Sequence, residues 1–246
     1  MMRCIRNGTV RIMAREQYLG DLFRIYTLVS VLSDKNDCKV LRVRHTAHHK
    51  DMIVRSFPTT VTAYEILYGI RTTNLPLIYD VVYLTDGQIV LEEFIEGISA
   101  GDMLECHRYT YRQAKKIIAP LCDALTVLHE NGLVHRDVKP DNVMLETSGR
   151  VVLIDFNITR QLSAIKSKDT AVMGTVGYAS PEQLGVTQSD ARTDIYALGV
   201  FLNVLITGKH PSEQIADGKA GKIVRRCTNI HPNERYRTTQ QLKASL

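Results

Sequence analysis

Three short polar strings in the second half of the chain constrain its fold more than any other feature. The first reads His-Arg-Asp-Val-Lys-Pro-Asp-Asn over residues 135–142. The second, Asp155-Phe156, ends the apolar run 151–154, and the third is Gly-Thr-Val-Gly-Tyr over 174–178, leading into Ser-Pro-Glu over 180–182. Any one such string recurs by chance in unrelated proteins. All three in this order, at these separations, do not.

With these strings the chain resembles a eukaryotic-type (Hanks-type) serine/threonine protein kinase of the bacterial kind. The resemblance runs from about Phe23 to the end of the sequence and is stronger in the second half. It implies an α+β, two-lobed protein kinase fold, with a small β-rich N-lobe carrying one helix and a larger helical C-lobe. The implied boundaries are a basic N-terminal extension over 1–20 and a single kinase domain over 21–246, divided into N-lobe 21–92, hinge 93–97 and C-lobe 98–246.

Composition agrees with one such domain. The chain has 246 residues, 44% of them hydrophobic, which is enough for two lobes that share an interface. The net charge of +5 comes from scattered basic residues, so no nucleic-acid partner is indicated. The five cysteines are odd in number and far apart, which favours reduced thiols and a cytoplasmic location. The longest apolar stretch, 196–208, is too short to span a membrane.

The first fifteen residues carry four arginines and no acid, and they lack the apolar core of a secretory signal. Translation from Met13 explains this leader as well as translation from Met1 does, so the true start codon is left open. A mass measurement of the N-terminus that gives Met1 would exclude the later start.

Apolar periodicity predicts elements in both lobes. In the small lobe it predicts three successive strands, a helix over 60–70, and a hairpin of 77–82 and 88–91 that turns at Asp86-Gly87. In the large lobe it predicts helices over 111–131, 194–208, 221–229 and 238–246. Pro120 lies inside the first of these helices and should kink it.

The resemblance assigns the groups that perform phosphoryl transfer. Asp137 accepts the proton of the substrate hydroxyl, and Lys139 steadies the transferred phosphoryl group. Asn142 and Asp155 hold Mg²⁺ on the phosphates of ATP. A lysine two residues after the catalytic aspartate indicates a serine or threonine acceptor rather than tyrosine.

Two further residues match the family in the large lobe. Glu182 has a candidate ion-pair partner in Arg235, and Asp194 is placed to hold the backbone of residues 135–142. One position departs from the family, because Asn157 replaces the glycine after Asp155-Phe156. Asparagine tolerates positive φ better than most residues do, so the turn is expected to form.

The segment from Gln161 to Met173 corresponds to a kinase activation segment. Arg136 precedes the catalytic aspartate, and in the family such an arginine pairs with a phosphorylated residue of this segment. We therefore expect Thr170 to be an autophosphorylation site, with Thr175 contacting Asp137 and Lys139 directly.

The small lobe departs further from the family. The three positions that are glycine in the loop covering the ATP phosphates fall, with the alignment fixed on Val40, on Ser33, Lys35 and Cys38. Arg55 replaces the lysine that grips the phosphates, and the two side chains are not equivalent. Ile53 replaces a small residue that packs on adenine. Each change is expected to weaken nucleotide binding.

The remaining small-lobe positions are in register with the family. Glu65 is expected to pair with Arg55, and the backbones of Glu93 and Ile95 are expected to bond adenine. Glu92, at the entrance to the back pocket, is an unusual acid, for which a link to Arg55 or to a buried water is an open alternative. The residues predicted to bind nucleotide are therefore Val40, Ile53, Arg55, Glu65, Glu93 and Ile95.

The function that follows is a serine/threonine protein kinase that uses ATP and Mg²⁺ on a protein substrate. A pseudokinase, acting as a binding or scaffold module, is the first alternative, because the first half is degenerate. A small-molecule phosphotransferase is the second, and the string Ser180-Pro181-Glu182 argues against it. No motif in the sequence specifies the physiological substrate, the upstream signal or the oligomeric state.

Overall fold

A computed structural model describes residues 5–6, 9–10, 13–161, 177–184 and 189–246. The chain divides into two compact units. We call residues 1–72 and 76–95 the small unit, and residues 73–75 and 96–246 the large unit. The small unit is mainly β and the large unit mainly helical, which confirms the predicted α+β class.

The small unit is built on one sheet. Its elements are β1 (Ile5–Arg6), β2 (Thr9–Val10), α1 (Arg15–Leu22), β3 (Tyr26–Lys35), β4 (Cys38–His45), β5 (Asp51–Phe57), α2 (Thr62–Leu67), β6 (Ile78–Leu84) and β7 (Gly87–Glu93). Strands β3 to β7 form an antiparallel sheet in the order β3-β4-β5-β7-β6. The three predicted strands and the predicted hairpin are confirmed, while the helix predicted over 60–70 is shorter.

Helix α1 covers one face of this sheet. Leu19 and Leu22 are buried in one cluster with seven side chains of the sheet, among them Leu41, Val43, Val54 and Ile89. Since side chains alternate between the faces of a strand, residues 53 and 55 point to the opposite face. Residues 15–20 were predicted to be part of a basic extension, and in the structure they belong to α1, which packs on the sheet through Leu19 and Leu22.

The turn between β3 and β4 replaces the glycine-rich loop that the family uses. Lys35 pairs with Cys38 across the ladder, which leaves a two-residue turn of Asn36 and Asp37. Both turn residues have positive φ, 51° and 60°, as a two-residue hairpin with the twist of a β-sheet requires. Asn and Asp adopt this conformation more readily than other non-glycine residues. The turn is therefore tight without glycine.

Arg15 of α1 fastens this turn. Its Nη1 donates a hydrogen bond of 3.0 Å to the carbonyl oxygen of Asp37, and its Nη2 forms an ion pair with the Asp37 carboxylate. The backbone N–H of Arg15 also donates to Oδ1 of Asp86 at 2.7 Å, in the turn between β6 and β7. One residue of α1 therefore links two turns of the sheet.

The large unit consists of helices with short strands. Its elements are β8 (Gly97–Ser99), α3 (Ala100–Cys106), α4 (Tyr111–Glu130), β9 (Leu133–Val134), β10 (Val143–Glu146), β11 (Val151–Leu153), β12 (Arg160–Gln161), α5 (Ala191–Thr207), α6 (Gly218–Cys227) and α7 (Thr239–Ser245), with 3₁₀ turns at Pro140–Asn142, Pro181–Leu184 and Pro232–Glu234. The four predicted helices are confirmed, and α4 continues through Pro120 as one element. No helix in the described parts of the chain is long and apolar enough to cross a membrane.

Helix α5 is the buried centre of the large unit. Eleven of its residues are buried, including Ile195, Leu198 and Leu202. It ends at Gly208, whose φ is +73°, and a Cβ there would lie 2.1 Å from Nε of Arg108. The left-handed backbone conformation favours glycine at this position, whereas the exposed guanidinium of Arg108 can move aside. The opposite end of α5 carries Asp194, which contacts the backbone of residues 135 and 136.

Candidate active site

Asp194, in the first turn of α5, holds the backbone of residues 135–142, which we call the catalytic loop. Its Oδ2 accepts a hydrogen bond from the backbone N–H of His135 at 2.9 Å. Its Oδ1 accepts one from the backbone N–H of Arg136 at 2.8 Å. Arg136 has a φ of +72°, which non-glycine residues rarely adopt, so the loop backbone needs this anchor. The role predicted for Asp194 is confirmed.

His129, near the end of α4, is a further partner of Asp194. Its Nε2 lies 2.8 Å from Oδ2 of Asp194. Burial alone would raise the pKa of Asp194, but the hydrogen bonds from His129 and from the backbone of Arg136 hold that pKa below its ordinary value. A fully buried carboxylate needs such partners to stay ionised. Sequence reasoning missed His129, because nothing in the helical pattern distinguishes it from an ordinary polar residue.

Asp137 lies in contact with two of the other predicted site residues. Nδ2 of Asn142 donates hydrogen bonds of 2.8 Å to Oδ2 and 2.9 Å to the carbonyl oxygen of Asp137. Nζ of Lys139 lies 3.0 Å from the same Oδ2. The side chain of Asp137 is 14% exposed, so it is held in place and still reaches the surface. The structure thus brings these three residues together.

His135 is buried at the centre of the catalytic loop. Its Nδ1 accepts a hydrogen bond from the backbone N–H of Asp137 at 3.3 Å, and its Nε2 lies 3.3 Å from the carbonyl oxygen of Ile154. The ring of Phe156 packs edge-on against it, 5.6 Å between centroids. These contacts fit the neutral ring that carries its proton on Nε2. Burial lowers the pKa of His135, although the carboxylates of Asp194, Asp155 and Asp137 oppose this.

We expect His135 to make the folded protein less stable as the pH falls. The unfolded chain binds a proton on this ring near its ordinary pKa of 6.5, and the folded chain resists protonation. The stability it contributes is therefore complete above that pH and is lost as the pH falls below it. Melting temperatures measured between pH 7.5 and 5.5 should fall less steeply for His135→Gln than for the wild type. The exposed His231→Gln is the control, and an equal effect of both substitutions would contradict this account.

Asp155 is tied to the catalytic loop through the backbone. The N–H of Ile154 donates a 2.9 Å hydrogen bond to the carbonyl oxygen of Asn142. Asp155 itself has a φ of +70° and accepts a 3.4 Å hydrogen bond from the backbone of Asn157. The turn after Phe156 forms as expected, but the residue with positive φ is Asp155 and not Asn157. The replacement of glycine by Asn157 therefore meets no conformational obstacle.

Asn142 and Asp155 fit the binding of Mg²⁺. The amide nitrogen of Asn142 is engaged by Asp137, so its oxygen is the end that can ligate a cation. Mg²⁺ prefers oxygen ligands and takes one or two protein groups together with substrate phosphates. The described parts of the chain contain no cluster of three or more His, Cys, Asp and Glu side chains that could hold a metal ion. A Mg²⁺ ion bound together with substrate phosphates does not require such a cluster.

Glu182 and Arg235 form the predicted ion pair. Nη1 of Arg235 lies 2.6 Å from Oε1 of Glu182, and Nη2 lies 2.9 Å from Oε2. The exposed fractions are 1% for Arg235 and 4% for Glu182. Burial alone would raise the pKa of Glu182, but the hydrogen bonds from Arg235 hold it below its ordinary value. The prediction is confirmed.

Gln183, which sequence reasoning missed, connects this pair to the catalytic loop. Its Nε2 donates a 2.8 Å hydrogen bond to the carbonyl oxygen of Arg136, and its Oε1 accepts one of 3.0 Å from the backbone of Ser180. The side chain is 1% exposed. Its position directly after Glu182 was the only available signal.

The structure corrects the predicted partner of Arg55 in the small unit. Nε of Arg55 lies 2.6 Å from Oε1 of Glu92, and both residues are buried. Glu65, the predicted partner, is exposed on α2. Its carboxylate lies near Tyr83, whose pKa is raised first by burial and then by Glu65. The open alternative of a link between Glu92 and Arg55 is the one that the structure supports.

The other residues predicted to bind nucleotide also belong to the small unit. Val40 lies directly opposite Arg55 in the ladder between β4 and β5, and Ile53 is two residues before it, so all three share one face of the sheet. Glu93 ends β7, where its backbone N–H donates a 2.9 Å hydrogen bond to Leu77. Ile95 is the last residue of the small unit and is buried.

Several predictions concern residues outside the described ranges. These are the glycine of the third string at position 174, Thr175, and the activation segment from Leu162 to Met173 with its candidate phosphorylation site Thr170. They stay predictions.

Comparison with known proteins gives a family match over most of the chain. The protein kinase domain family matches residues 28–245. The chain is 30% identical over 233 residues to the serine/threonine-protein kinase PknB of Mycolicibacterium smegmatis, which covers 84% of this chain and 35% of the relative. It is 34% identical over 188 residues to a probable serine/threonine-protein kinase of Corynebacterium efficiens, covering 64% of this chain and 28% of the relative.

The PknB protein of Mycobacterium tuberculosis (strain H37Rv) is 37% identical over 126 residues, which covers 50% of this chain and 20% of the relative. The chain therefore spans about a third or less of the length of these relatives. The rest of each relative has no counterpart in the aligned residues of this chain.

Proposed function

The chain belongs to the protein kinase domain family, and we propose that it transfers the γ-phosphoryl group of ATP to serine or threonine hydroxyls of a protein substrate. The observation that carries the proposal is the cluster of Asp137, Lys139 and Asn142, with the loop that bears it anchored on Asp194. Relatives named serine/threonine-protein kinases support the same reaction.

Within this proposal, Asp137 accepts the proton of the acceptor hydroxyl as the oxygen attacks the γ-phosphorus. Its carboxylate is oriented by the hydrogen bond from Asn142 and the ion pair with Lys139. Lys139 also offsets negative charge on the transferred group. ATP with Mg²⁺ supplies the phosphoryl group and the charge that screens the phosphates, and Asn142 and Asp155 would hold the metal ions.

The small unit would bind the nucleotide. Val40, Ile53 and Arg55 share one face of its sheet, which suits an adenine packed on the two apolar side chains with Arg55 near the phosphates. The backbones of Glu93 and Ile95 would bond the adenine edge. The tight turn at Asn36-Asp37 carries fewer flexible backbone groups than a glycine-rich loop, so nucleotide affinity is expected to be modest.

A pseudokinase is the alternative, and the replacement of the phosphate-binding lysine by Arg55 is the observation that favours it. A pseudokinase would not need the catalytic residues, yet the large unit retains all four of them, Asp137, Lys139, Asn142 and Asp155. We therefore favour the enzyme. We also propose a cytoplasmic location, which the odd number and wide spacing of the five cysteines favour.

Phosphosite mapping after incubation of the purified chain with ATP and Mg²⁺ tests the proposal. We expect new phosphoserine or phosphothreonine on the chain or on an added basic protein, with Thr170 as the expected autophosphorylation site. An ATP-dependent rise in melting temperature should accompany it. No phosphorylation and no rise would support the pseudokinase, and phosphotyrosine alone would contradict the predicted acceptor. Phosphorylation that leaves Thr170 unmodified would refute Thr170 as the autophosphorylation site but would not contradict the proposed kinase activity.

A further inference from the structure

The buried ion pair of the small unit joins two strands of one sheet. Across the ladder between β5 and β7, Arg55 faces Val90 and Ile53 faces Glu92. Arg55 and Glu92 are therefore diagonal neighbours on the same face, a separation that long side chains bridge. Their Nε and Oε1 atoms lie 2.6 Å apart. The sheet itself thus fixes the distance between the two backbones.

Burial makes a counter-charge energetically necessary for Arg55. The exposed fractions are 5% for Arg55 and 2% for Glu92. A charge at that depth is unfavourable unless a counter-charge lies in contact with it. Glu92 supplies the counter-charge from an adjacent strand that is hydrogen-bonded to β5 along its whole length. The pair with Glu92 therefore holds Arg55 from within the sheet.

Glu65, which the family resemblance predicts as the partner of Arg55, does not lie in the sheet. Glu65 belongs to α2, a helix of six residues, and it is exposed. In protein kinases, the pairing of the β-strand cation with a helix glutamate makes catalysis depend on the position of that helix. A pair that lies within the sheet has no such dependence.

We propose that Glu92 is the positioning residue of Arg55 for nucleotide binding, in place of Glu65. The inference rests on the proposed function, because it assumes that Arg55 contacts the phosphates of ATP. Arginine suits the arrangement better than lysine does, since its planar guanidinium offers several donors in fixed directions. Nε can face Glu92 while the charge of the same group acts on the phosphates. The position of α2 then has little influence on nucleotide affinity.

Steady-state kinetics with ATP as the varied substrate test the inference. For Glu92→Gln, we expect the KM for ATP to rise roughly tenfold to a hundredfold, because the amide can still accept a hydrogen bond but no longer offsets the buried charge of Arg55. The substitution keeps shape and removes charge, so kcat should change less than KM. For Glu65→Gln, we expect both constants to change less than about twofold. Glu16→Gln, an exposed carboxylate of the same unit, is the matched control.

Two further measurements distinguish a variant that does not fold from a folded variant in which Arg55 is no longer positioned. Melting temperatures without ATP report the folding of each variant, and Glu92→Asp restores the charge at a shorter reach, so it should recover part of the affinity. Glu65 is exposed, and its substitution is not expected to prevent folding. Should Glu92→Gln fail to fold, Glu92→Asp tests the pair in its place, and a tenfold rise in KM for Glu65→Gln would still overturn the inference.

The outcomes distinguish this inference from the proposed function. A tenfold or larger rise in KM for Glu65→Gln would overturn the inference and restore the helix glutamate as the partner. An unchanged KM for a folded Glu92→Gln would overturn it as well. Both results would leave a working kinase. A wild-type chain that neither binds nor hydrolyses ATP nor transfers its phosphate would contradict the proposed function, and the inference with it.

Discussion

Asp137→Asn is expected to reduce phosphate transfer by roughly 10²–10⁴-fold, the usual effect of losing a general base. The amide is nearly the same size as the carboxylate but cannot accept the proton of the acceptor hydroxyl. Asn142 and Lys139 both lie against Oδ2 of Asp137, so the substitution also removes an ion pair with Lys139. Transfer from labelled ATP to a protein acceptor measures the effect.

Asp141→Asn is the matched control for this substitution. Asp141 is an exposed carboxylate four residues further along the same loop, and it has no assigned part in the reaction. We expect its replacement to change transfer less than about threefold, as for a surface position. Equal activity of the wild type and Asp137→Asn would contradict the role of Asp137, and equal losses in both variants would indicate a general effect of charge on the loop.

Arg235→Met is expected to lower the free energy of unfolding by about 3–5 kcal/mol, because it leaves a buried carboxylate without its counter-charge. Glu182 is 4% exposed and loses two hydrogen bonds in this variant. The variant also loses the hydrogen bonds that Arg235 donates to the carbonyl oxygens of Arg192 at 3.0 Å and of Asn229 at 2.8 Å. Urea denaturation of the purified chain measures the loss.

A second and a third variant separate the ion pair from its surroundings. Glu182→Gln leaves Arg235 buried with a neutral partner, and the double variant Glu182→Gln/Arg235→Met should cost less than the sum of the two single losses. Arg237→Met changes an exposed arginine two residues away and is expected to stay within about 0.5 kcal/mol of the wild type. A loss below about 1 kcal/mol for Arg235→Met would show that the pair is not essential to the fold.

The large unit was predictable because its contacts follow from short strings with fixed roles. Asp194 anchors the backbone of His135 and Arg136, as the resemblance implied. The ion pair of Glu182 and Arg235 joins residues far apart in sequence, yet each stands in a recognisable string. His129 and Gln183 could not be found in this way. Their roles depend on which buried group lies nearby, and periodicity carries no such information.

The small unit was less predictable because its pairing depends on strand register. Arg55 meets Glu92 because β5 and β7 are adjacent and their register places Glu92 two residues beyond Val90, the residue opposite Arg55. The sequence alone does not specify this register. Helix α1 was missed since only Leu19 and Leu22 mark its buried side. Asn36 and Asp37 are residue types that a two-residue turn favours, whereas the family's glycine positions fall on the neighbouring residues 33, 35 and 38.

Phosphate transfer under single-turnover conditions is the most direct test of the central claim, which is that this chain catalyses the reaction with Asp137 as proton acceptor. The purified wild-type chain is mixed in excess over γ-labelled ATP with Mg²⁺, and acid-stable label on protein is followed over time. We predict label on serine or threonine at a rate at least about 10²-fold above that of Asp137→Asn. Labelling of the wild type no faster than that of Asp137→Asn would contradict the claim.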